Sequence, residues 1–89
     1  MVKIIGSFEV ENWDHWKKGF DEHAEARLKV GIKTIYVGHE LENSNKVHMV
    51  FELPEADSLQ KFMQQHENQE VIKNSGHKRE TTVMVVCSD

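Results

Sequence analysis

A single cysteine, Cys87, excludes an intramolecular disulfide and makes a reducing compartment the natural setting. No run approaches the roughly 18 apolar residues that a membrane span requires. The opening "MVKIIGSFEV" lacks the apolar core and small-residue cleavage site of a signal peptide, so a cytoplasmic location is expected. Cations are also scarce: 11 Lys and Arg stand against 15 Asp and Glu, a formal net charge of −4, and they form no cluster. That balance argues against nucleic acid or an anionic membrane as the main partner. The spacings H-x-x-x-H and H-E-x-x-H and a cysteine pair are all missing, so no metal is expected. Neither a phosphate-binding glycine loop nor a G-x-S-x-G nucleophile elbow occurs. Cys87 lies on an apolar strand near the end of the sequence and reads as packing rather than as a nucleophile.

What is there suits a globular protein: 38% hydrophobic and 29% charged residues, with no repeat and no linker. Residues 1–89 read as one domain with a modest core, which dimerisation would help. "VKIIGSFEV" alternates with period two and is a first strand. Asn12 is placed to cap the helix that follows, and Gly31 to end it. "IKTIYVGHEL", the turn "ENSN" and "KVHMVFEL" form a hairpin. Pro54 stops the hairpin and opens a second helix, "PEADSLQKFMQQHE". A short helical piece closed by Gly76 and the strand "TTVMVVC" complete the chain.

The order β-α-β-β-α-β defines an α+β, ferredoxin-like arrangement, with two helices on one face of a four-stranded antiparallel sheet. Ile5, Ile35, Val37, Val50, Val83 and Val85 include residues that must point away from those helices in any register. Monomers rarely keep so apolar a face exposed, so two sheets are expected to pack face to face in a homodimer.

At about 100° per residue the first helix sorts into two faces. Asp14, Lys18, Asp21, Glu22, Glu25 and Lys29 share the solvated arc, while Trp13, Trp16, Phe20 and Ala24 share the opposite one. Arg27 falls within the apolar arc and His23 at its edge beside Trp16. On the second helix, Ala56, Leu59, Phe62 and Met63 face inward and His66 projects between Leu59 and Met63. Three nitrogen-bearing side chains, His23, Arg27 and His66, are thus expected to converge between helices and sheet. A buried arginine needs a carboxylate, an exit to solvent or a ligand, because desolvating its charge costs several kcal/mol. Alternatives stand beside that reading. Arg27 near a helix C-terminus suits the macrodipole and can snorkel, and either histidine can be a hydrogen-bonded structural residue. His77 and Lys78 could rim a mouth, and His15 reads as inert.

The sequence resembles the dimeric α+β barrel superfamily, which contains antibiotic-biosynthesis monooxygenase-like proteins, small polyketide cyclases and haem-degrading monooxygenases. The likeness rests on the element order and on three stretches. These are W-x-x-x-F-D-x-H (Trp16, Phe20, Asp21, His23), Gly31-Ile32, and "NSNKVHMVFELPEADSLQKFM". It implies a ligand cavity between helices and sheet in each subunit, and chemistry without metal or organic cofactor on apolar, oxygen-bearing molecules. The haem-degrading branch uses an asparagine on the first strand and a tryptophan–histidine combination on helix two. Here the first strand has Gly6 and Ser7, and helix two has His66 without a tryptophan, so haem binding through His66 is a lesser alternative.

Function narrows to an apolar small molecule bearing a carbonyl or carboxylate. Phe8, Trp16, Phe20, Met49, Phe51, Phe62, Met63 and Met84 are the expected walls, the methionines lending adaptability. Arg27 would hold a carboxylate or polarise a carbonyl, and Tyr36 is a further donor candidate that depends on register. His23 or His66 would move a proton, imidazole titrating near pH 6.5. Catalysis as a cofactor-independent monooxygenase or cyclase, non-catalytic binding of a fatty-acid-like ligand, and an interaction dimer with its cavity filled by side chains remain open at this point.

Overall fold

The computed structural model describes residues 2–88. Its elements are β1 (Val2–Val10), α1 (Trp13–Glu22), α2 (Ala24–Lys29), β2 (Lys33–His39), β3 (Lys46–Leu53), α3 (Ser58–Gln64), α4 (His66–Asn74) and β4 (His77–Ser88). The sheet order is β2-β3-β1-β4 and every pairing is antiparallel. This is the ferredoxin-like α+β arrangement expected from the order of elements.

The alternation of β1 decides which side holds the core. Ile4, Phe8 and Val10 are buried on one face, and Ile4 and Phe8 pair across to β3, where Val47, Met49, Phe51 and Leu53 are buried too. Trp16, Ile32, Leu59 and Phe62 close this core from the helical side. The opposite face carries Ile5, Val50, Val83 and Val85 in matched positions, with Ile5, Val83 and Val85 exposed.

Local signals act where the sequence places them. Asn12 Oδ1 accepts the His15 N–H at 2.9 Å and starts α1. Gly31, at φ +81°, ends α2, and a Cβ there would lie 2.8 Å from the Pro54 ring, so only glycine suits both demands.

Both long helical stretches are divided. The first breaks at His23 (φ −96°, ψ 8°), whose ring is tied to α4. The second breaks at Gln65, which is extended (φ −65°, ψ 136°). That break corrects the inward placement of His66. One unbroken helix would aim its ring between Leu59 and Met63, but the extended residue resets the rotation. His66 instead begins α4 with its side chain 86% exposed, 3.8 Å from Glu70.

Tyr36 is corrected as well. A bulge between Thr34 and Tyr36 shifts the β2–β3 register by one residue, pairing Tyr36 with Val50 on the outer face. Its side chain is therefore on the wrong side of the sheet for a pocket, and the residue is 55% exposed.

Candidate functional site

A cavity of about 90 Å³ lies between helices and sheet. The sheet supplies Phe8, Met49, Phe51 and Met84, and the helices supply Trp16, Phe20, Phe62 and Met63. Two polar residues named from the sequence, His23 and Arg27, also line it. The structure therefore brings together ten of the expected residues and leaves His66 and Tyr36 outside.

The aromatic side chains form a ladder. Trp16 stacks on Phe20 with centroids 4.9 Å apart, and Phe20 lies parallel to Phe51 at 6.0 Å. The spacing of Trp16, Phe20 and Arg27 along the first helical stretch places the guanidinium beside this ladder. Arg27 Cζ sits 3.7 Å from the Phe20 centroid.

Arg27 is only 6% exposed, and among the described residues its guanidinium makes no hydrogen bond or ion pair. Burial lowers its pKa, an effect the charge of Asp21 opposes. A cation–π contact returns roughly 0.5–2 kcal/mol, whereas desolvating the charge costs several. The contact with Phe20 offsets only part of that cost. Its nitrogens keep access to open space, since among the described residues no fully buried side-chain nitrogen or oxygen lacks a hydrogen-bond partner.

His23 has a defined orientation. Its Nε2 lies 2.6 Å from Asn68 Oδ1, while Asn68 Nδ2 donates to the Phe62 carbonyl at 2.6 Å and to Gln65 Oε1 at 3.2 Å. A backbone carbonyl only accepts, so the Asn68 amide can face one way only. Its oxygen meets His23, which must donate from Nε2, and the neutral ring keeps its lone pair at Nδ1. A histidine held in one tautomer, one helical turn from an arginine, can take a proton from a carbon whose neighbouring carbonyl the arginine polarises.

Two participants differ from the sequence reading. Asn68, almost fully buried, was not expected. Its signal was present: Val71 and Ile72 stand three and four residues on, the spacing of one helix face. His77 lies in the cavity wall rather than at a loop rim. It pairs with Val10, stacks on Phe8 at 4.1 Å and bonds Thr82 Oγ1 at 2.8 Å. Burial, then the charge of Arg79, lowers its pKa, and Glu80 opposes the shift.

An open groove of about 500 Å³ adjoins the cavity, lined by His15, Lys18, Glu22 and Asn74 among others. His15 Nε2 donates to the Asn74 carbonyl at 2.9 Å. Among the described residues no group of three His, Cys, Asp or Glu is placed to hold a metal ion. No helix of the described residues is long and apolar enough to cross a membrane.

The four-stranded antiparallel sheet with its helices on one face matches the ferredoxin-like fold of antibiotic-biosynthesis monooxygenase-like proteins. A candidate antibiotic biosynthesis monooxygenase from Bordetella bronchiseptica superposes with a TM-score of 0.78 at 15% identity, over 99% of this chain and 95% of that one. SnoaB, a cofactor-independent oxygenase from Streptomyces nogalater, gives 0.73 at 12% identity, over 99% and 91%. A conserved protein from Methanosarcina mazei gives 0.69 at 19% identity, over 99% and 91%. At these identities the likeness concerns the fold. The chain belongs to the domain-of-unknown-function family DUF3764, whose model matches residues 3–89. No curated protein matches its sequence.

Proposed function

We propose that this protein binds an apolar small molecule bearing a carboxylate or carbonyl, in the cavity between helices and sheet, as a cytoplasmic homodimer. The observation that carries the reading is Arg27: a buried cation with no hydrogen-bonding partner among the described residues, set in a wall of aromatic rings and methionines. The guanidinium fork suits a carboxylate through two parallel hydrogen bonds. Burying the apolar body of the ligand supplies the remaining affinity. The exposed Ile5, Val83 and Val85 on the outer sheet face support the dimer.

Native mass spectrometry of the purified protein tests for a copurified small molecule. Titration with cis-parinaric acid, a fluorescent fatty acid, then tests the anchor: Arg27→Ala should weaken binding about tenfold or more with its circular dichroism unchanged. Equal affinity in the two proteins rejects Arg27.

A catalytic reading stands second, supported by the fixed tautomer of His23. Nδ1 would remove a proton from the carbon next to an Arg27-bound carbonyl, the first step of a cofactor-independent oxygenation or cyclisation. SnoaB, which shares the fold, is a cofactor-independent oxygenase. Haem binding through His66 is set aside, because that side chain stands in solvent away from the cavity.

A further inference from the structure

The cavity and the groove beside it share one wall. Gly19, His23, Val71 and Ser75 border both. The wall is the seam between α1 and α4, and it is stapled at two points. His15 donates to the Asn74 carbonyl at one end, and His23 donates to Asn68 at the other. Counting inward from these two bonds sets Gly19 opposite Val71, midway between the staples.

Nothing local explains a glycine at position 19. Its φ is not positive, so the helix does not need glycine there. A Cβ built on it meets no atom within 4 Å, so crowding does not demand one either. Glycine is a poor interior helix residue and alanine would serve the helix better. What the glycine leaves is open space where cavity and groove meet.

The volumes point the same way. Small-molecule sites span about 300–1,000 Å³, and the cavity alone holds about 90 Å³. The groove, about 500 Å³, carries both Lys18 and Glu22.

We propose that the gap between Gly19 and Val71 is the route by which the ligand reaches Arg27. The groove outside it then houses the part of the ligand that the cavity cannot contain. This rests on the binding reading above and adds a ligand class. The molecule has an acidic or carbonyl end for Arg27, an apolar stretch narrow enough to pass a glycine, and a distal portion that lies among groups of both charge signs.

Stopped-flow uptake of cis-parinaric acid tests the route, with wild type, Arg27→Ala, Gly19→Leu and Val71→Ala compared. Gly19→Leu should slow association about tenfold or more, as a blocked path does, while Val71→Ala should speed it. Gly19→Ala keeps the test decisive if Gly19→Leu does not fold: it should slow association by a smaller factor. Unchanged rates in the Gly19 variants, with binding still dependent on Arg27, overturn the route alone. Uptake that does not depend on Arg27 overturns the binding reading and the route with it.

Discussion

Arg27 poses the sharpest energetic question in the molecule, and substitution can answer it in two directions. If the guanidinium serves a ligand, the empty fold bears its desolvation cost without return. Arg27→Met keeps the apolar stem and removes the charge. It should leave the ligand-free protein as stable as wild type or more so, by on the order of 1 kcal/mol in urea, while losing affinity for cis-parinaric acid. A loss of stability would instead assign Arg27 to the structure. His77 offers a second test through pH. Its pKa is lowered in the fold, so the unfolded chain binds the proton first as pH falls below about 6.5. The stability attached to neutral His77 is therefore complete above that value and is lost on acidification. Between pH 7.5 and 5.5, roughly a unit either side of the free imidazole, the thermal midpoint of His77→Phe should fall less than that of wild type. A parallel fall would show that the ring does not titrate against folding.

The helices matter through their breaks as much as through their turns. The division at Gln65 rotates α4 so that Asn68 faces in and His66 faces out, a decision that no helical projection of residues 54–67 contains. Asn68 then joins three elements: His23 between α1 and α2, the carbonyl of Phe62 in α3, and its own helix α4. Asn68→Ala removes these bonds and leaves the His23 Nε2 without its partner, while the Phe62 carbonyl keeps only the Gln65 N–H. It should cost roughly 1–3 kcal/mol, read by urea denaturation, and should allow the His23 ring both tautomers, read by nitrogen NMR shifts. A neutral effect on both would show that the tautomer is set elsewhere. The period of β1 and β3 was legible because each strand buries one face, and their alternation matches the observed register throughout. β2 was not legible in the same way. Its bulge is a property of pairing with β3 and carries Tyr36 across the sheet.

At the scale of the molecule, the proposed dimer rests on the outer sheet face. Ile5 and Val85 are paired neighbours, and Val83 stands two residues along on the same side. Sedimentation equilibrium at micromolar concentration should find a dimer for wild type and a monomer for the double variant Ile5→Lys with Val85→Lys. The charges would have to be desolvated against a second copy of the same face, at a cost of several kcal/mol. A wild-type monomer under those conditions would refute the proposed dimer.

The sequence by itself determined the order of elements, the apolar sides of β1 and β3 and the clustering of aromatics around Arg27. These follow from periods of two and 3.6 residues, which are properties of neighbouring positions along one chain. Tertiary structure alone decided that His66 and Tyr36 leave the site and that Asn68 and His77 join it. It also decided that the two histidines flanking Gly19 in sequence bond to α4. Each of these depends on a bulge, an extended residue or a bond between segments far apart in sequence. No local period records such a feature, because its cause lies in the partner element.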